Sequence, residues 1–231
     1  MNRLFKLVIG FSFLSMFSAC STAESAFSCC FESGKLYPND WTLVKIPRWK
    51  PMGEWIQRDT HMENRTPKDA KPTTLISTRA GETYTSMVLK SKYSGDVTIR
   101  SSLEFADRMP PLIVVAAELG WDKKGGSEYR EHFEIVIHDK GVNVWHHYCK
   151  EGKPSWEKAA FSRFPLKPNV PCPLEVTISR TAQGKELTVR IDGYEFGYLD
   201  DTLPDTYHVG ITGCEGVNQF YDFAVVQQNK S

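Results

Sequence analysis

The sequence lacks most of the features that would assign it a chemistry at once. Acidic and basic side chains balance at 28 each, so no surplus of positive charge recommends nucleic acid or an anionic membrane surface as a partner. There is no Gly-x-Ser-x-Gly elbow, no phosphate-binding glycine loop and no pair of histidines at helical spacing. The 6 cysteines contain no C-x-x-C and no His/Cys cluster of metal-ligand spacing, so no metal site is expected. No long stretch shows helical periodicity, and there is neither an internal repeat nor a low-complexity tract.

What is present begins with an export pattern. Asn2, Arg3 and Lys6 give a positive start, Leu7 to Leu14 an apolar run, and Ser18-Ala19 small residues before Cys20. The run is too short to span a bilayer comfortably and is characteristic of a signal peptide. Phe17-Ser18-Ala19-Cys20 resembles a bacterial lipobox, departing from it at Phe17, where the pattern has Leu. The resemblance implies lipidation of Cys20, anchoring in a membrane and, with Ser21 next, sorting to the outer membrane or cell surface. Ordinary cleavage after Ala19 or Ala23 is the alternative. The expected organisation is a signal peptide over 1–19, a tether over 20–30 and one domain over 31–231. Of the remaining cysteines, Cys149 and Cys172 flank strands and are a candidate disulfide in an oxidising compartment.

The body of the chain has the two-residue period of β-strands. An edge strand is expected near Trp41–Ile46, followed by long loops. Val97, Ile99, Leu103 and Phe105 alternate with Arg100, Ser102 and Glu104, while Leu112–Leu119 is apolar but for Glu118, as in a strand buried on both faces. Asp192-Gly193 predicts a two-residue type I′ turn that sets Ile191 against Tyr194, Val189 against Phe196 and Leu187 against Tyr198, with Arg190 opposite Glu195. A second hairpin is expected around Lys140-Gly141, pairing His138 with Asn143, Val136 with Trp145 and Glu134 with His147. One face of that hairpin is then core, and the other gathers Glu134, His138, Asn143, Trp145 and His147. The fold class is an all-β, two-sheet antiparallel sandwich.

The segments Leu187–Phe196, Val209–Gly213 and Phe220–Val225 resemble strands of the concanavalin A-like lectin/glucanase superfamily, including laminin-G-like and exported 3-keto-disaccharide hydrolase-type domains. The resemblance covers roughly 84–227. It implies a jelly roll whose concave sheet meets a polysaccharide or oligosaccharide; no cofactor is expected, with calcium, common in the superfamily, left open through Asp122, Asp139 and loop carbonyls. Fold alone does not choose among lectin, lyase, hydrolase and structural protein.

The gathered patch suits a sugar. An indole face covers the apolar side of a pyranose while amide, imidazole and carboxylate groups pair with hydroxyls. Trp145, Asn143 and Arg100 are therefore candidate carbohydrate-binding residues, and Glu134, His138 and His147 candidate catalytic ones. The Glu-x-Asp-x-Glu strand of jelly-roll glucanases is absent, because Glu131 and Glu134 fall on opposite faces. Val136-Ile137-His138 keeps the histidine of the Gln-Ile-His strand of alginate lyases but lacks its Gln. The leading reading is a glycan-binding surface lipoprotein. A lyase or hydrolase is the second, and a structural surface protein with solvated polar residues the third. The loop 121–127 is either a specificity loop or a plain hairpin connection.

Overall fold

The computed structural model describes residues 24–33, 38–48, 54–65, 84–105, 111–214 and 217–227. The expected signal peptide and Cys20 lie outside the described residues. In chain order the first strands are β1 (Glu24–Cys30), β2 (Trp41–Val44), β3 (Glu54–Gln57), β4 (Met62–Arg65), β5 (Tyr84–Leu89) and β6 (Tyr93–Ser94). The long central strands are β7 (Val97–Phe105), β8 (Pro111–Trp121), β9 (Ser127–His138), β10 (Gly141–Lys150), β11 (Lys153–Arg163) and β12 (Cys172–Thr181). The chain closes with β13 (Gly184–Ile191), β14 (Tyr194–Leu199), β15 (Thr206–Cys214), β16 (Asn218–Phe220) and β17 (Asp222–Gln227).

These strands form two antiparallel sheets. One runs β14-β13-β12-β7-β16-β4-β3, with β17 on β7 and β1 on β17; the other runs β11-β10-β9-β8-β15-β5-β2, with β6 on β15. Their inner faces share a single core, in which Val97, Ile99, Leu103 and Phe105 of β7 meet Ile113, Val115, Phe133, Ile135 and Val144 of the facing sheet. The sandwich expected from the alternation is therefore what the chain forms. Two buried asparagines join the sheets at one end. Asn64 Oδ1 accepts from Asn218 N–H at 2.6 Å, and Asn218 Oδ1 accepts from Cys214 N–H at 2.9 Å.

Local expectations fare unevenly. β2 is an edge strand, as the Trp41–Ile46 pattern suggested, and Pro111–Ala116 is buried on both faces. The β13–β14 hairpin has the expected register, turning on Asp192 and Gly193, both at positive φ (48° and 79°). The β9–β10 hairpin is displaced by two residues. It turns on Asp139-Lys140, so His138 opposes Gly141, Val136 opposes Asn143 and Glu134 opposes Trp145. Gly141 is needed elsewhere: a Cβ there would sit 2.1 Å from the Ser162 carbonyl oxygen of β11. A displacement by two keeps every side chain on its expected face.

Two expectations need correction. Much of the expected tether is β1, which pairs with β17 from Glu24 to Cys30; Phe27 and Cys29 pack against the core. Cys149 and Cys172 do not form a disulfide; both are free, because β10 and β12 belong to different sheets and Cys149 is exposed while Cys172 is buried.

Glycine replacements give an expected order of damage. Gly210 lies in β15 between β8 and β5, where a Cβ would stand 2.1 Å from the Met87 carbonyl oxygen and 2.6 Å from Val88 Cα. Gly193 has open space and only its positive φ to lose. Gly193→Ala should destabilise by about 1–2 kcal/mol, and Gly210→Ala by more, at or beyond the top of the ~1–3 kcal/mol typical of overpacking. Urea unfolding midpoints check the order, and the reverse order would contradict the register.

Candidate functional site

The core settles which side chains point outward. Because Phe133, Ile135, Ile137, Val142 and Val144 are buried inward, the alternate residues of β9 and β10 occupy the outer face of their sheet. Cross-strand pairing arranges that face in four rows over β11, β10 and β9. They are Trp156–His147–His132, Lys158–Trp145–Glu134, Phe161–Asn143–Val136 and Arg163–Gly141–His138. Lys158 and Phe161 share a face despite their odd separation because a bulge intervenes, with Val144 opposite Ala160 and Trp145 opposite Lys158.

The first two rows contain a buried polar cluster. Glu134 is 6% exposed, and His132 and His147 are buried beside it. Tyr84 Oη donates to Glu134 Oε1 at 2.7 Å, His132 Nε2 lies 3.3 Å from the same oxygen, and His147 Nε2 lies 3.1 Å from Oε2. Burial alone would push the Glu134 carboxyl upward. The facing His147 and His132 outweigh it and hold that carboxyl well below the usual carboxylate range. Burial lowers the pKa of His132 and raises that of Tyr84, so an ionised carboxylate is held by a neutral imidazole and a neutral phenol, with His147 on its other oxygen. Beneath it Ser86 links the Tyr129 and Thr212 hydroxyls at 2.6 Å each, and Tyr129 stacks on His132 at 4.2 Å. The segment Ile46–Arg48 covers the cluster, and the Arg48 guanidinium lies 3.5 Å above the Trp156 ring.

The other two rows are open. A groove of about 670 Å³ is lined by His138, Asp139, Asn143, Lys158, Phe161 and Arg163, among others. His138 Nδ1 accepts from the Lys140 N–H at 3.2 Å, and its Nε2 lies 3.1 Å from the Asn143 side-chain amide. Burial lowers the pKa of His138. Phe161 is 58% exposed, with Lys158 and Arg163 at 5.5 and 5.8 Å from its ring. Lys158 also stands 5.0 Å from the Trp145 ring. Among the described residues, Lys140, Lys158 and Arg163 make no ion pair.

The expected residues thus divide. Glu134 and His147 come together, while His138 and Asn143 lie in the open groove with half-buried Trp145 between the two groups. His138 is four residues from Glu134 along β9, about 13 Å away, so the three expected catalytic residues do not form one constellation. Arg100 belongs to neither group. It sits on the outer face of the opposite sheet, in a second groove of about 540 Å³, paired with Glu175 at 2.7 Å. That groove's two arginines are both paired there, since Glu175 also holds Arg190, which reaches Glu195. Asp122 and Asp139 terminate opposite ends of β9, roughly 36 Å apart for 12 residues, and cannot share a calcium ion. Asp122 is instead bound by the Lys45 ammonium and by the amides of Lys124 and Gly126, making 121–127 a closed hairpin connection.

His132 escaped the expected set although the alternation with Glu134 and His138 places it on that face. Lys158 and Phe161 were hidden by the bulge. The expectation of no metal site also changes: ligand atoms of His132, Glu134 and His147 lie within 4.8 Å of one another.

Removing the carboxylate would leave a phenol and two imidazoles facing one another without their acceptor. Glu134→Ala should therefore destabilise the fold by about 1–3 kcal/mol for each donor left unsatisfied, and Glu134→Gln, which keeps one acceptor oxygen, by clearly less. Equilibrium denaturation with near-ultraviolet dichroism measures both; near-equal, small effects would show that the cluster is not coupled.

No protein-family model matches the chain, and no curated protein matches it by sequence. Solved structures do match. A protein of unknown function with a galectin-like fold from Bacillus subtilis aligns with TM-score 0.59 and 11% identity over 88% of this chain and 96% of that one. The beta-porphyranase BpGH16B from the human gut bacterium Bacteroides plebeius aligns with TM-score 0.59 and 8% identity over 89% and 91%. The carbohydrate-binding module CBM66 from Bacillus subtilis aligns with TM-score 0.54 and 13% identity over 81% and 96%. At such identities it is the backbone that is shared: the chain has the concanavalin A-like jelly-roll fold.

Proposed function

We propose that this protein is an exported, lipid-anchored lectin that holds an anionic glycan in the groove of Phe161, Asn143 and His138 without cleaving it. The observation that carries this reading is a row of cations that make no ion pair among the described residues, beside exposed Phe161 and half-buried Trp145. Lys158 and Arg163 flank Phe161, Lys158 also faces Trp145, and Lys140 lies at the groove's end. Aromatic faces suit the apolar side of a sugar ring, while ammonium and guanidinium groups suit carboxylate or sulfate substituents. Asn143 and His138 add hydrogen-bonding groups for hydroxyls. Sugar-directed proteins among the structural likenesses, a carbohydrate-binding module and a beta-porphyranase, support the same partner class.

Binding is favoured over turnover by the burial of Glu134. Glycoside hydrolysis needs two carboxyl groups across the scissile bond; Glu134 is covered, and its partners are a phenol and two imidazoles. Glu131 points away and meets His146 Nε2 at 2.8 Å.

Glycan arrays and calorimetry with uronate-containing, sulfated and neutral oligosaccharides test the reading. Phe161→Ala and Trp145→Ala should each weaken binding by about 1–2 kcal/mol, roughly five- to thirtyfold in Kd. Lys158→Ala should weaken anionic glycans selectively, with an effect that shrinks as salt shortens the Debye length below about 8 Å. Equal affinity for neutral glycans, or none at millimolar concentration, would refute it; unsaturated products or new reducing ends would establish an enzyme instead.

The anchor is tested separately. In a bacterial host, wild-type protein should take up labelled fatty acid and sediment with membranes, whereas Cys20→Ala should do neither. Unlabelled, soluble wild-type protein would leave ordinary cleavage as the export route.

A further inference from the structure

We infer that His132, Glu134 and His147 form a binding site for one divalent transition-metal ion, with zinc as its best chemical match. His132 and His147 are directly opposed across β9 and β10, and Glu134 is the next residue of β9 on the same face. Two adjacent strands of a packed sheet thus present two imidazole nitrogens and one carboxylate from fixed positions. An ion with bonds of about 2.0–2.2 Å in tetrahedral geometry keeps neighbouring donors about 3.3–3.5 Å apart. Here His132 Nε2 lies 3.3 Å from one Glu134 oxygen and His147 Nε2 3.1 Å from the other, and one donor atom from each residue lies within 4.8 Å of the rest, a spread that side-chain adjustment around an ion would have to close.

The surroundings point the same way. The face around the cluster is largely apolar, built from Val44, Ile46, Val88, Leu112, Val114 and Ala116. A charged carboxylate in such a place is expensive to desolvate, and an apolar triad would hold the strands together as well or better. Calcium would want six or more oxygens, whereas mixed nitrogen and carboxylate donors suit zinc and its first-row neighbours. A cavity of about 10 Å³ touches both His132 and His147. That is close to the room one water needs, and such a water would complete a fourth position. Trp156 and Arg48 line the cavity on its outer side, and the ion would tie β9 to β10. The three ligands are not among the groove residues of the glycan reading, so the metal test stands whether or not a glycan binds, although Trp145 of that reading is the cross-strand neighbour of Glu134.

Untagged protein purified by size, stripped with a chelator and dialysed against zinc chloride should retain one ion per chain by mass spectrometry of the elements. Substituted cobalt(II) should show the visible bands of a four-coordinate nitrogen/oxygen site. His132→Ala and His147→Ala should each lower zinc affinity at least tenfold, while Cys29→Ser/Cys30→Ser should leave it unchanged. If the alanine variants fail to fold, Glu134→Gln checked by dichroism serves in their place, and the wild-type cobalt spectrum stands on its own. Less than stoichiometric zinc in folded wild-type protein would overturn the proposal. So would thiolate-to-cobalt charge-transfer bands, or zinc retained undiminished in the folded variants.

Discussion

Everything at the outer face depends on the two-residue period of β9 and β10 against a filled core. Phe133, Ile135 and Ile137 are fully buried on the inner side. Each contributes roughly 1.5–3 kcal/mol by burial. A slip of one residue would exchange that set for His132, Glu134, Val136 and His138. No turn chemistry could compensate for putting a carboxylate and two imidazoles into the space between the sheets. The polar cluster and the groove are therefore consequences of the core: their residues are outside because their neighbours are inside.

That dependence explains how much could be read from the sequence. Faces were legible wherever one side of a strand was uniformly apolar, as in β7, β9 and β13. Registers were legible only where the turn residues had no second duty. Asp192-Gly193 spent its positive φ on the turn, so β13 and β14 paired as expected. Gly141 made room for the Ser162 carbonyl, so the turn moved to Asp139-Lys140. The bulge at Ala159 leaves no sign in composition, and with it went the proximity of Lys158 and Phe161. Residues gathered by chemistry alone, without a shared strand pair, were misplaced. Arg100 went to the opposite sheet, and Cys149 and Cys172 were separated by the whole sandwich. β1 was missed because Glu24–Cys30 holds no β-branched residue and forms a strand only by pairing with β17.

The face divides into a closed half and an open half, joined at Trp145. Its ring packs partly on the outer apolar cluster, pairs across the strands with Glu134 on one side and with Lys158 on the other, and so belongs to both. Lys158 stands two strand spacings from Glu134, about 10 Å. At an effective dielectric near 20, a unit charge at that distance is worth about 1–2 kcal/mol before salt screening. An ionised Glu134 therefore tempers the positive groove. A divalent ion held by the cluster would change its charge from about −1 to +1 and turn that damping into reinforcement. Metal and anionic glycan would then favour one another by a coupling of that order, and by linkage the effect must be equal in both directions. A rigid sheet needs no conformational change to transmit it, because the row Lys158–Trp145–Glu134 fixes the distance over which the charges act.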